Sequence, residues 1–413
     1  MSIDTKTDIP ESPPLSSVDT PEPKPRAKNW VKSLDALRGF AALYVVMNHI
    51  AVLSLIPYKF IGHNPVSHIT KLFSALMLGF SFGHQAVIVF FVLSGFCIHY
   101  RIASGFNAGR HNAKLDVKDY FARRAKRILP PYYFAIVFTA LLSYAFLKIN
   151  PDFAAHLTGY AFSDDILAVH LGWQTLLGNL VFQQWLTCAT FGNNTPLWSL
   201  SYEFWFYLLY PVYIAIWRRC NTMAETGIIA LVSLVCGILV THVDAAYSWP
   251  FKIGEYWIDW CIGCLAADLY VGDKHLVMSK FLNLGVAILV MVSWILGTRA
   301  LHINDAVSDF IGALASLVLV LTMLHRNEAV DNLKNQFPKW VEKQLSAVGI
   351  YSYSLYLTHV PTLCLLCAVW FTIFHHFPTN PVIPLVSVAI CIIVARLSFA
   401  AVEKFTINRK QGA

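Results

Sequence analysis

The chain has 413 residues, 56% of them hydrophobic and only 13% charged, with a formal net charge of +7 at pH 7. That balance is far too apolar for a soluble domain and reads as an integral membrane protein. The surplus of cations is a topology signal and gives no reason to invoke nucleic acid.

Residues 1–30 place Pro10, Pro13, Pro14, Pro21, Pro23 and Pro25 among Ser, Thr, Glu and Asp, and read as a disordered cytoplasmic tail. No cleavable signal peptide is expected, because the first apolar run begins after residue 33 and is long enough to remain as a helix. Apolar stretches able to span a bilayer recur at 34–56, 76–100, 128–147, 197–217, 226–242, 255–271, 282–298, 307–324, 346–371 and 382–402. These ten runs are continuous rather than alternating, which excludes a strand-built barrel. The predicted fold is an all-α polytopic bundle: a transmembrane domain over 31–405, then a short basic tail at 406–413. With a cytoplasmic N-terminus, 24 of the 31 Lys and Arg residues fall in inside segments. Both termini are therefore expected in the cytoplasm of a multi-pass inner-membrane protein.

The first span carries Arg38 and His49, eleven residues and about three turns apart, on one stripe and ~16 Å from each other along the axis. Small Ala42 and Val45 lie between them, and Asp35 sits one turn below Arg38. Ionisable side chains inside hydrocarbon face a water-filled path or a partner, so the stripe suggests a lined cavity. The plain alternative is that Arg38 snorkels to the headgroups while His49 bonds a neighbouring helix. In the second span, Ser94-Gly95 would let a backbone come close to a bound group. The loop that follows ends in Arg123-Arg124-Ala125-Lys126-Arg127, with Pro130-Pro131 just beyond, predicted to stop or kink the helix. The cations either anchor the chain to anionic lipid or offer guanidinium forks to phosphates.

The outer segment 149–195 offers Trp173, Trp185, Asp164, Asp165 and Gln183-Gln184, groups that stack on and bond sugars. The fourth span opens with Trp198-Ser199-Leu200-Ser201-Tyr202-Glu203, in which Ser199, Glu203 and Tyr207 recur at intervals of four. Glu203 either pairs with a cation across the bundle or orients a histidine base. Cys261-x-x-Cys264 and Cys364-x-x-Cys367 have a metal-like spacing, yet lie in apolar spans where cysteine acts as a small hydrophobe; no metal is expected. Tyr353, Tyr356 and His359 form a second polar face in the ninth span, where His359 reads as a cap or interhelical bond more readily than as a base.

Five stretches in this order resemble the membrane-bound acyltransferase 3 family. They are Leu34-Asp35-Ala36-Leu37-Arg38-Gly39 through His49, Val89–Phe96, Arg123-Arg124-x-x-Arg127-Ile128-x-Pro130, Pro196–Ser201 with Glu203, and Tyr353-Ser354-Leu355-Tyr356-Leu357-x-His359-x-Pro361. The resemblance implies ten helices and an O-acyltransferase that moves an acyl group, commonly acetyl from cytosolic acetyl-CoA, to a hydroxyl of an extracytoplasmic or lipid-linked carbohydrate. It maps the family's proposed active site onto Arg38 and His49. Tyr202-Glu203-Phe204 departs from the family's more frequent neighbours of the glutamate, and no esterase-like extension is expected after span ten. In this reading Arg123, Arg124 and Arg127 take coenzyme A phosphates, Ser94 and Gly95 flank the pantetheine arm, and His49 serves as base or carries the acyl group. Glu203 assists, while Trp198, Ser199, Ser201, Tyr353, Tyr356 and His359 support. A proton-coupled transporter using Arg38, His49 and Glu203 as a relay is the competing class.

Overall fold

Hydrocarbon offers no partners for peptide groups, so long apolar runs satisfy their hydrogen bonds internally as helices. The computed structural model follows this rule, and no strand occurs among the described residues. It describes residues 29–53, 68–107, 115–151, 166–219, 222–245, 247–272, 305–326, 339–375 and 382–406, with isolated residues between 288 and 294. Most of both expected tails and of the expected span 282–298 lie outside these residues, as do Asp164 and Asp165.

The helices are α1 Asn29–Leu53, α2 His68–Met77, α3 Gly83–Asn107, α4 Val117–Ile149, α5 Trp173–Leu180 and α6 Leu197–Trp217. They continue with α7 Thr222–His242, α8 Trp249–Val271, α9 Asp305–Arg326, α10 Lys339–Ile350, α11 Ser352–Phe374 and α12 Val382–Ser398. Among the described residues seven helices are long and apolar enough to cross a membrane. Helices α6 and α8 are 21 and 23 residues long. The chain is an all-α polytopic membrane protein.

Several boundaries differ from expectation, and the expected span 76–100 divides between the end of α2 and α3, which begins at Gly83. The stretch 346–371 is not one helix: the chain breaks at Tyr351, and α10 packs separately along α1. Pro130 and Pro131 do not stop α4, which runs unbroken for 33 residues from an N-cap in which Asp116 accepts from the Asp119 amide at 2.9 Å. Prolines are tolerated in membrane helices because neighbouring helices and local adjustment re-satisfy the freed backbone groups. The arginine cluster therefore belongs to the same continuous helix as the span.

Helix crossings are set by small residues, as expected where burial in lipid gives no hydrophobic drive for association. On α3 the place of a Gly95 side chain is taken by the Trp260 carbonyl of α8, and a Cβ on Gly263 would meet the Val92 carbonyl in return. Gly39 and Gly349 bring α1 and α10 together in the same reciprocal way. The loop before α6 is pinned by buried amides. Asn194 donates to Thr139 Oγ1 and to the Leu357 carbonyl, both at 2.9 Å, and Gln184 donates to the Leu197 carbonyl at 2.9 Å. Gln184 is thus a structural clamp, removed from any surface contact with sugars, whereas Trp173 and Trp185 are 67% and 57% exposed.

Candidate active site

A cavity of about 120 Å³ lies among α1, α3, α4, α6 and α11. Its polar wall consists of Arg38, Ser94, Cys97, Arg124, Arg127, Ser199, Glu203, Tyr207, Ser352, Tyr353 and Tyr356, and its apolar wall includes Phe90 and Phe91. Residues from five helices meet here because each presents a polar position on its inward face.

Arg38 is held at both ends of its fork: Nη1 donates to Asp35 Oδ1 at 2.7 Å and Nη2 to Cys97 Sγ at 2.8 Å. The first bond is the one-turn partnership expected from sequence. Cys97 was not singled out there, although it stands three residues after Ser94 on the same face of α3. The Glu203 carboxylate accepts from Ser94 Oγ at 2.8 Å and from the Tyr207 hydroxyl. Ser94 Oγ also receives the Trp260 indole N–H at 3.3 Å. The polar stripe of α6 is therefore real, and its carboxylate faces the cavity, anchored by groups of its own and neighbouring helices. Ser199 Oγ and the Tyr356 hydroxyl lie 2.7 Å apart, with Tyr356 also donating to the Pro196 carbonyl at 3.0 Å.

The arginine cluster divides. Arg124 and Arg127, three residues apart on one face of α4, line the cavity. Arg123 lies round the helix and pairs with Asp119. Nε of Arg124 is buried with no partner among the described residues. Gly95 does not line the cavity, since α8 backbone occupies the space beside it. Ser201 is fully buried and donates to the Trp198 carbonyl at 2.8 Å. Trp198 stacks on His84 at 5.4 Å between ring centroids, and His84 Nε2 lies 2.8 Å from Asp309 Oδ2, a pairing with no sequence signal because 225 residues separate its members.

His49 lies beyond the cavity wall. Its Nδ1 is 2.9 Å from the Val45 carbonyl and 3.2 Å from His359 Nε2, with ring centroids 5.0 Å apart. Glu203 is not its partner: the group facing the imidazole is His359, which sequence reasoning placed in a supporting role. Tyr356 joins the two regions, with its hydroxyl at the cavity and its ring 5.9 Å from that of His359. Among the described residues no three His, Cys, Asp or Glu side chains are arranged to hold a metal ion. Cys261, Cys264, Cys364 and Cys367 are buried and unlinked.

Fold and site together define a helical membrane protein with a cation-lined polar cavity inside its bundle. The chain belongs to the acyltransferase family whose profile, the Acyltransferase domain, matches residues 31–400, and it is an acyltransferase. It is 28% identical over 342 residues to the acyltransferase MdmB of Streptomyces mycarofaciens, covering 79% of this chain and 77% of that one. To the peptidoglycan O-acetyltransferase OatA of Listeria monocytogenes it is 23% identical over 411 residues, covering 94% and 57%. To the O-acetyltransferase OatA of Staphylococcus aureus (strain NCTC 8325 / PS 47) it is 23% identical over 349 residues, covering 80% and 50%. The chain thus spans about half the length of the OatA relatives. No solved structure matches it.

One prediction arises directly from this geometry. Ser94→Ala removes one of the two neutral donors that hold Glu203 and is expected to lower kcat/KM about tenfold, the loss typical of one hydrogen bond to a charged group. Steady-state kinetics on the purified protein check it, and an unchanged kcat/KM would show that Glu203 does not need this anchor.

Proposed function

We propose that the protein transfers an acetyl group from acetyl-CoA to a hydroxyl of a cell-envelope carbohydrate. The observation that carries this reading is the cavity itself, which joins Arg124 and Arg127 at one end of α4 to Arg38, and abuts through Tyr356 the pair His49 and His359. The names of the OatA relatives support acetyl as the group and the envelope as the destination.

The cation-rich segments are taken as cytoplasmic under the positive-inside rule, with both termini on that side. Arg124 and Arg127 then meet the phosphates of the donor as it arrives from the cytosol, where guanidinium forks match phosphate geometry. Only the narrow thioester end fits a cavity of about 120 Å³, so the nucleotide stays at the mouth. Arg38, fixed by Asp35 and Cys97, lies along the path of the arm. His49 takes the proton of the acceptor hydroxyl, whose oxygen attacks the thioester carbon as the carbon–sulfur bond breaks. The departing sulfur collects the proton, so the reaction needs no net proton supply.

Labelled acetyl-CoA supplied with isolated envelope polysaccharide to the purified protein in lipid tests the reading: label is expected in carbohydrate, and none with folded protein would overturn it. In the same assay Arg124→Gln with Arg127→Gln is expected to raise the apparent KM for acetyl-CoA about 10- to 100-fold while kcat stays within a few-fold. Arg123→Gln, paired outside the cavity, leaves KM near the parent value. Equal effects at Arg123 and at the pair would refute the docking assignment.

A further inference from the structure

The two histidines beside the cavity make the same local bond. Helical side chains lean toward the N-terminus, so His49 Nδ1 comes to 2.9 Å from the Val45 carbonyl, four residues back. His359 Nδ1 likewise comes to 3.1 Å from the Leu355 carbonyl and 2.9 Å from that of Tyr356. A carbonyl oxygen only accepts, so in each neutral ring Nδ1 carries the hydrogen. His359 Nε2 is then a bare lone pair, and it lies 3.2 Å from His49 Nδ1. The planes meet at 64°, edge toward edge rather than face to face. The Nδ1–H of His49 is therefore shared between the Val45 carbonyl and His359, and its Nε2 has no hydrogen-bond partner among the described residues.

We propose that His359 is the positioning residue of acyl transfer: by accepting from Nδ1–H of His49 it fixes the tautomer that leaves His49 Nε2 as the base. This rests on the reading of His49 as the base given above. A carboxylate commonly orients a histidine in this way, but here Glu203 is committed to Ser94 and Tyr207. His359 is fully buried and is itself oriented by two backbone carbonyls, so its accepting nitrogen is fixed in direction. In the chemical step the acceptor O–H bond breaks and its proton goes to His49 Nε2. The new carbon–oxygen bond forms as the carbon–sulfur bond breaks, its electron pair passing to sulfur, and Nε2 returns the proton to the thiolate. During that interval the cationic His49 ring donates more strongly to His359 Nε2, which spreads the charge over two rings. His359 touches neither substrate.

The test uses the full-length protein in lipid nanodiscs, with labelled acetyl-CoA, isolated envelope polysaccharide and four chains: wild type, His359→Leu, His359→Gln and His49→Ala. His359→Leu is expected to lower kcat about 10- to 100-fold, as loss of an orienting partner does, with KM for acetyl-CoA within about twofold. His359→Gln can place its amide oxygen near the vacated Nε2 position and accept in its stead, so it is expected to recover most of that loss. A second readout is independent of the acceptor: nitrogen-15 spectra of labelled histidine, with His49 assigned from the His49→Ala sample, are expected to show Nδ1 protonated and Nε2 bare in the wild type, and a mixture of tautomers in His359→Leu. Wild-type kcat in His359→Leu, equal impairment in Leu and Gln variants of unchanged thermal midpoint, or a protonated Nε2 in the wild type would each overturn the proposal. Full activity in His49→Ala would instead remove the base reading beneath it, whereas loss in His49→Ala with none in His359→Leu would sink the positioning role alone.

Discussion

His49→Ala is expected to lower acetyl transfer by about 10²- to 10⁴-fold, the range associated with a positioned general base. The imidazole lies between the Val45 carbonyl and His359 and has no partner of opposite charge among the described residues. Its removal therefore leaves no uncompensated buried ion, and the thermal midpoint should move little. What changes is the step that removes the acceptor proton, so kcat falls while donor KM holds. Single-turnover transfer from labelled acetyl-CoA, run beside a thermal melt, separates lost chemistry from lost fold. A variant that melts normally and transfers at the wild-type rate would end His49's claim to the reaction.

Gly263→Leu is expected to have the largest effect on stability. A Cβ at this position would overlap the Val92 carbonyl and press on the Phe96 amide. These are backbone atoms in the middle of α3, which cannot swing aside as a side-chain tip would. Overpacking of a well-filled interior costs about 1–3 kcal/mol, and separating two helices that otherwise touch along much of their length should exceed that. The same helix carries Ser94 and Cys97, so the loss would include displacement of the Glu203 anchor and of the Arg38 contact. A fall in the detergent-solubilised midpoint of several degrees, with little folded protein recovered, is the expected outcome; retention of the wild-type midpoint would show that α3 and α8 are not fixed by this crossing.

Much of this arrangement was legible in the sequence. Composition alone gave a helical membrane bundle, and nine of the ten apolar runs fall on described helices, because the bilayer leaves a long apolar segment almost no other backbone choice. The stripe logic also held for Arg38 with Asp35, since residues one turn apart must be neighbours whatever the rest of the fold does. What the pattern could not supply was contact between helices. His359 is 310 residues from His49, and no periodicity on either helix announces that their rings meet. Glu203 was readable as a functional carboxylate, but its partner Ser94, and the Trp260 indole that donates to Ser94, come from other spans. Proline was overread as a stop: its ability to end a helix is a property of soluble segments more than of buried ones. Glycine was read as room for a ligand at Gly95, where the structure uses it as room for another helix.

The unbroken course of α4 solves a partition problem. At 33 residues the rod is about 50 Å long, well beyond the ~30 Å of a hydrocarbon core. Its charged first turns can stand in water while its remainder crosses the lipid. A donor bound along it would be divided in the same proportion, the multiply charged nucleotide staying hydrated and only a slender neutral arm exchanging water for protein. The protein would thereby be spared the cost of desolvating phosphates, and the joint between the two environments would lie within one continuous helix.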